Sequence, residues 1–299
     1  MARFRQLAVL TTVGICVLVV AGGVVRLTGS GLGCDDWPNC NSERFVDVSS
    51  GHAAIEQINR IFSAVIGLPT IALAVAAFRI RPHTTALRAP AIGVLVTVLA
   101  NGVVGGLAVR GDLHPVLVQS HFLLAMVSIA FGMVAIRRSE APSASRRVEP
   151  PTRMLAMALA GCTALALITG TVVTGTGPHA GEEDVRRFGF DISNVARLHS
   201  VAVIVSIVVA LGLAWRLRRD PAGQSLLGGT MSAWMFRGLL QGGIGYAQYF
   251  NGVPELLVGA HIAFATALWV VTVRLVDIAV ATSGASDDAQ VSAGVPTPA

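Results

Sequence analysis

Charge is scarce in this chain of 299 residues. Only 13% of positions are charged against 53% apolar, and the mean hydropathy is strongly positive. That balance excludes an ordinary soluble domain and points to an integral membrane protein. Lysine is missing altogether, since all 22 basic residues are arginine, so any orientation read from positive charge rests on arginine alone. Cysteine is sparse as well. Cys34 and Cys40 have no matching second pair, which argues against a zinc site. No strand precedes the glycine-rich stretches TGSG and GTGPH, so they do not read as phosphate-binding loops. The net charge of +5 reports topology and implies no nucleic-acid binding.

What the chain has in abundance is long charge-free runs. A hydrocarbon core of about 30 Å needs roughly 20 apolar helical residues. Runs of about that length fall at 7–25, 61–78, 89–109, 115–136, 154–178, 198–215, 238–254 and 256–273. Lipid offers backbone groups no partner, so each run is expected to be helical. The expected fold is all-α and integral to the lipid bilayer, with eight transmembrane helices. Fourteen arginines lie at the N-terminus, in the 79–88, 137–153 and 216–219 segments and at Arg274, whereas seven lie on the opposite side among acidic residues. This bias puts both termini in the cytoplasm of a multi-pass plasma-membrane protein. The first run, behind Arg3 and Arg5, is longer than a usual signal core and reads as a helix. Residues 1–137 form an N-terminal four-helix half, 138–153 a cytoplasmic linker and 154–281 a C-terminal half. The tail 282–299 lacks an apolar period and reads as disordered.

The two halves repeat. GGVVRLTGSGLG (22–33) follows the first run and GTVVTGTGPHAG (170–181) the fifth. NGVVGGLAVRGDLHPVLVQSHFLLA (101–125) pairs with QGGIGYAQYFNGVPELLVGAHIAFA (241–265). His121 and His261 then align at an offset of 140, and the same offset carries His199 back to Asn59. Two halves of four spans share one orientation, which predicts a parallel repeat about an axis along the membrane normal. Positions 59, 121, 199 and 261 fall at a common depth near the outer end of even-numbered helices.

A histidine at that depth needs a partner and usually faces the bundle interior. Two imidazoles from facing helices can be the axial ligands of a haem iron. A single such histidine more simply hydrogen-bonds a neighbouring helix. The repeat singles out His199 and His261 together, which favours ligation by that pair.

GTGPHAGEED, TGSGLGCDDWPNC, EQINR (56–60) and QYFNGVPELLVGAH, in order on successive helix ends, resemble the haem A synthase family over about residues 10–275. The resemblance implies a membrane oxidoreductase that converts haem O to haem A for terminal oxidases. One ring methyl group would be oxidised to a formyl group by successive hydroxylations. It implies a haem b held by His199 and His261, and a substrate-porphyrin site in the N-terminal half at Asn59 and His121. It also implies as partners the farnesyltransferase that makes haem O, cytochrome oxidase assembly factors and a thiol–disulfide reductant. The commoner family pattern has His where this chain has Asn59, so His121 alone would hold the second iron, with an axial position open to oxygen or water. Glu56 matches the family's acidic residue one turn before the ligand position and could move protons, or it could cap its helix. His52 and His114 are possible substitute ligands, although loop histidines are usually just solvated.

Cys34 and Cys40 lie in an outer loop where thiols can stay oxidised, and a short-range disulfide is expected, either redox-active or a staple for the loop. Arg60 and Arg197 could hold haem propionates or snorkel to the interface. Arg237 falls within the seventh span unless that helix starts late. Asn101 and Gln241 correspond in the repeat and are expected to bond neighbouring helices. Two other functions fit parts of this pattern: a quinol-linked haem cytochrome without chemistry of its own, or a transporter with parallel repeats.

Overall fold

The computed structural model describes residues 1–81, 85–140, 148–182 and 184–281. Eight α-helices account for most of them: α1 (Ala2–Leu27), α2 (Gly51–Arg79), α3 (Thr85–Arg110), α4 (Pro115–Arg138), α5 (Pro150–Thr176), α6 (Ile192–Leu217), α7 (Pro221–Phe250) and α8 (Glu255–Ala281). No strand occurs among the described residues. The tail expected to be disordered, 282–299, lies outside the described residues, as does part of the expected linker. Capping chemistry sets several starts. Ser50 accepts from the Ala53 N–H, Asp191 from Asn194 and Asp220 from Gly223, while prolines open α4, α5 and α7.

Seven helices are long and apolar enough to cross a membrane, and α7 is the exception. The seventh span, expected at 238–254, falls within a helix that starts earlier, Pro221–Phe250, and is less apolar than the other seven. Asp220 and Pro221 begin α7 far earlier, and its extra turns carry Gln224, Ser225, Gly228 and Gly229. Arg237 consequently sits in mid-helix, bonded through Nη1 to the carbonyl of Ala233 at 3.1 Å. α2 also starts earlier than its apolar run, which puts EQINR inside the helix. Ser50 is its N-cap, so Glu56 does not cap it.

Within the first half α1 packs on α2 and α4, and α3 on α2 and α4. Within the second, α5 packs on α6 and α8, and α7 on α6 and α8. The halves meet through α1, α4, α5 and α8. Trp269 ties this seam by donating from Nε1 to the Met126 carbonyl at 2.8 Å, and Arg137 pairs with Asp277 at one end of it. At the opposite end the Gly31 N–H reaches the Gly181 carbonyl at 3.0 Å, joining the two glycine-rich loops.

The cores are not spread evenly. One cluster in the second half gathers Leu159, Leu213, Leu217, Leu227, Trp234 and Leu275. In the first half Phe4, Leu73 and Leu87 form one group, and Ile15, Ile66, Val94 and Ile129 another. These lie toward the end that carries the termini or near mid-helix. Toward the other end of the second half no helical residue is buried beyond Thr169 in α5, before Ala202 in α6, beyond Gly238 in α7 or before Thr266 in α8. Four helix ends thus surround a cleft that their own side chains do not fill.

Candidate functional site

The cleft of the second half holds the paired histidines. His199 is the eighth residue of α6 and His261 the seventh of α8, each half-buried. Their ring centroids stand 6.5 Å apart with planes at 73°. Two metal–imidazole bonds of about 2 Å, plus about 1.1 Å from each nitrogen to its ring centre, span roughly 6.2 Å. The separation therefore suits one iron between the rings. Among the described residues no three His, Cys, Asp or Glu side chains converge as a metal cage, and an iron already ringed by porphyrin nitrogens needs only two axial ligands.

Glycines make room for the rings. A Cβ on Gly170 of α5 would lie 3.1 Å from the His199 ring, and one on Gly245 of α7 would lie 3.1 Å from the His261 ring. In the first half Gly105 of α3 backs His121 still more tightly, at 2.8 Å. The fourth equivalent position is Gly22 of α1, which the glycine-rich repeat aligns with Gly170. It has nothing within 4 Å. The gap follows from sequence, because Asn59 stands where the repeat puts an imidazole.

Hydrogen bonds fix two tautomers. The Asn101 carbonyl, 3.0 Å from His121 Nδ1, can only accept, so Nδ1 carries the proton and Nε2 presents its lone pair. The Thr169 hydroxyl gives its proton to the Leu165 carbonyl, so it too can only accept from His199 Nδ1 at 3.3 Å. Nε2 of His199 is again left to coordinate, the arrangement metal-binding histidines favour. His261 Nδ1 is buried without a partner, although Gln241 donates from Nε2 to the His261 carbonyl at 3.1 Å. Asn101 and Gln241 thus serve the two aligned histidines in different ways. His121 is exposed, and Asn59 is half-buried with Oδ1 lacking a partner.

Over the first half lies the Cys34–Cys40 loop, closed by a disulfide between those residues. EQINR holds it down. Glu56 accepts from the Cys34 N–H at 2.7 Å through Oε2, and its Oε1 pairs with Arg60 at 2.5 Å. Arg60 spends its remaining contacts on the carbonyls of Asp36 and Asn39, at 2.9 and 3.0 Å. The Trp37 indole rests on Gly106, and Arg110 reaches Asp36 at 3.2 Å. The Trp37 N–H, then Arg110, hold the Asp36 carboxyl below the usual carboxylate range. Glu56 and Arg60, an i,i+4 pair on α2, are thereby joined in one anchor for this loop, and it is the loop contacts that motif spacing did not indicate. Arg197 is exposed and makes no such bond among the described residues. His52 bonds Ser30 at 3.0 Å, and His114 caps α4, so both have local work away from the cleft. Cys16 and Cys162 are free and half-buried.

A family model described as cytochrome oxidase assembly protein matches residues 5–54 and 44–273 of the chain. Two curated proteins named heme A synthase, from Bacillus mycoides (strain KBAB4) and Bacillus cereus (strain AH187), are 31% and 30% identical to it over 132 residues. That match covers 44% of this chain and 42% of each relative, so it spans under half the length of the curated relatives.

Proposed function

The chain belongs to the family of cytochrome oxidase assembly proteins, and on that premise we propose that it is a haem A synthase, a multi-pass membrane oxidoreductase that converts a ring methyl group of haem O to the formyl group of haem A. The 6.5 Å separation of the His199 and His261 rings carries the reading, since it suits a bis-imidazole haem b. When bound, haem supplies electron transfer at that closed site and substrate for oxidation at the more open one.

The remaining work belongs to the chain's own groups. His199 and His261 hold and orient one porphyrin, with Gly170 and Gly245 leaving room for their rings. His121, set by the Asn101 carbonyl, holds the substrate porphyrin from one side only. Asn59 offers a carboxamide in place of a second imidazole and leaves the other side free for a small ligand. Glu56 and Arg60 fasten the disulfide loop above that site. A proton relay through Glu56 would require the Cys34 amide or Arg60 to release its carboxylate. Arg197, exposed beside the closed site, remains available to a propionate.

The like order of helix neighbours in the two halves supports a parallel repeat, and the arginine bias supports termini on the cytoplasmic side. The enzyme that makes haem O would supply the substrate, and oxidase assembly would consume the product.

Expression in a host that makes haem O but no haem A tests the activity. The wild-type chain is expected to yield the formyl porphyrin, and His121→Ala to yield none while keeping the haem b spectrum. A wild-type chain that binds haem b but forms no formyl product would favour a plain electron-transfer cytochrome.

A further inference from the structure

Two guanidinium groups bond helix carbonyls where the halves join, and among the described residues no carboxylate pairs with either. Arg26, in the last turn of α1, donates from Nη2 to the Thr174 carbonyl of α5 at 2.9 Å, while its Nε is buried without an acceptor. Arg187 donates from Nη1 to the Gly177 carbonyl, three residues further on, and lies near enough for the two charges to repel. Neither enters an ion pair among the described residues. The carbonyl end of a helix attracts cations, which accounts for one bond from each arginine. It does not account for the enclosed Nε or for bringing two like charges into each other's field.

Position indicates what would answer them. Gly23 of α1 packs against Ile262 and Leu27 against Gly259, so Arg26, between them in sequence, stands at the level of His261 on α8. Thr174 is one turn outward from Gly170, which backs His199. We infer that Arg26, assisted by Arg187, binds an anionic oxygen group, and that this group is a propionate of the porphyrin held by His199 and His261. The inference rests on the haem reading given under Proposed function. A lipid phosphate has the same oxygen chemistry, but it would approach from outside, whereas the free Nε is enclosed between α1 and α5. The first half thereby supplies a charge to the cofactor of the second, which ties haem retention to the joining of the halves.

The test uses the purified full chain, Arg26→Gln, Arg26→Lys and Arg187→Gln. The haem b midpoint potential is read by optical redox titration, and retained anionic lipid by native mass spectrometry. A cation beside a propionate favours the reduced haem. Arg26→Gln is therefore expected to cut the reduced-to-oxidised ratio at fixed potential about tenfold, a downward shift of about 59 mV for one electron. Arg26→Lys should keep most of the wild-type value. Arg187→Gln should shift it in the same direction by less, and serves if Arg26→Gln does not fold. An unchanged potential overturns the inference, and an unchanged potential with loss of bound lipid assigns the site to a phosphate. A wild-type protein without haem b would instead overturn the reading beneath it.

Discussion

Alanine placed in turn at Gly22, Gly105, Gly170 and Gly245 should separate the glycines that back an imidazole from the one that does not. In a helix interior Gly→Ala alone stabilises by about 0.5–1 kcal/mol. At Gly22 nothing lies within 4 Å of the new methyl group, so that gain should appear undiminished, with the haem spectrum unchanged. At Gly170 and Gly245 the methyl would come to 3.1 Å from the ring of His199 or His261, and the ring must give by a few tenths of an ångström. Overpacking of this kind costs about 1–3 kcal/mol, so the net change should be a loss of up to about 2 kcal/mol, with a shifted or weakened haem b band. At Gly105 the distance is 2.8 Å and His121 must move. That variant should keep haem b and lose formyl product. Thermal unfolding with Soret absorption reads the series in one experiment. Loss of the haem spectrum in Gly22→Ala, or no change in Gly170→Ala and Gly245→Ala, would refute the reasoning.

Asn59→His restores the imidazole that the repeat calls for, into space that Gly22 leaves open. It should convert the N-terminal haem to a six-coordinate low-spin form and block carbon monoxide binding, read by absorption difference spectra; unaltered carbon monoxide binding would show that residue 59 does not face that iron. Asp220, buried between the starts of α5 and α7, feels a desolvation that raises its pKa, but bonds from the Gly223 N–H, the Thr152 hydroxyl and the Glu149 N–H, with Arg216 nearby, hold it below its ordinary value. A carboxyl depressed on folding contributes stability above its unfolded pKa of about 4 and loses it as pH falls through the lower folded value. Asp220→Asn should therefore cost about 1–2 kcal/mol at neutral pH, and thermal unfolding at stepped pH should show the gap to wild type closing in acid; a gap independent of pH would contradict the assignment.

Much of this architecture can be read from residue type alone. Seven spans follow from runs long enough to match a bilayer, and the histidine pair follows from an offset of 140 repeated in two motifs. The seventh helix is legible in its charge-free run, but its start is not. The cap at Asp220 and Pro221 starts α7 in a polar stretch, and Arg237 rides within it, bonded to its own backbone. The loop partners of Glu56 and Arg60 were hidden for another reason. Their contacts are loop backbone groups some 20 positions away, which no helical period encodes. The glycines behind the histidines lay within the aligned motifs, yet only packing shows that three of the four back a ring.

The central claim is that two imidazoles from α6 and α8 clamp one haem iron. Low-temperature electron paramagnetic resonance of the purified oxidised protein tests it most directly. The account predicts a low-spin bis-histidine signal that His199→Ala and His261→Ala each abolish while His121→Ala leaves it in place. A protein without that signal, or one that keeps it after either of the first two substitutions, would contradict the account.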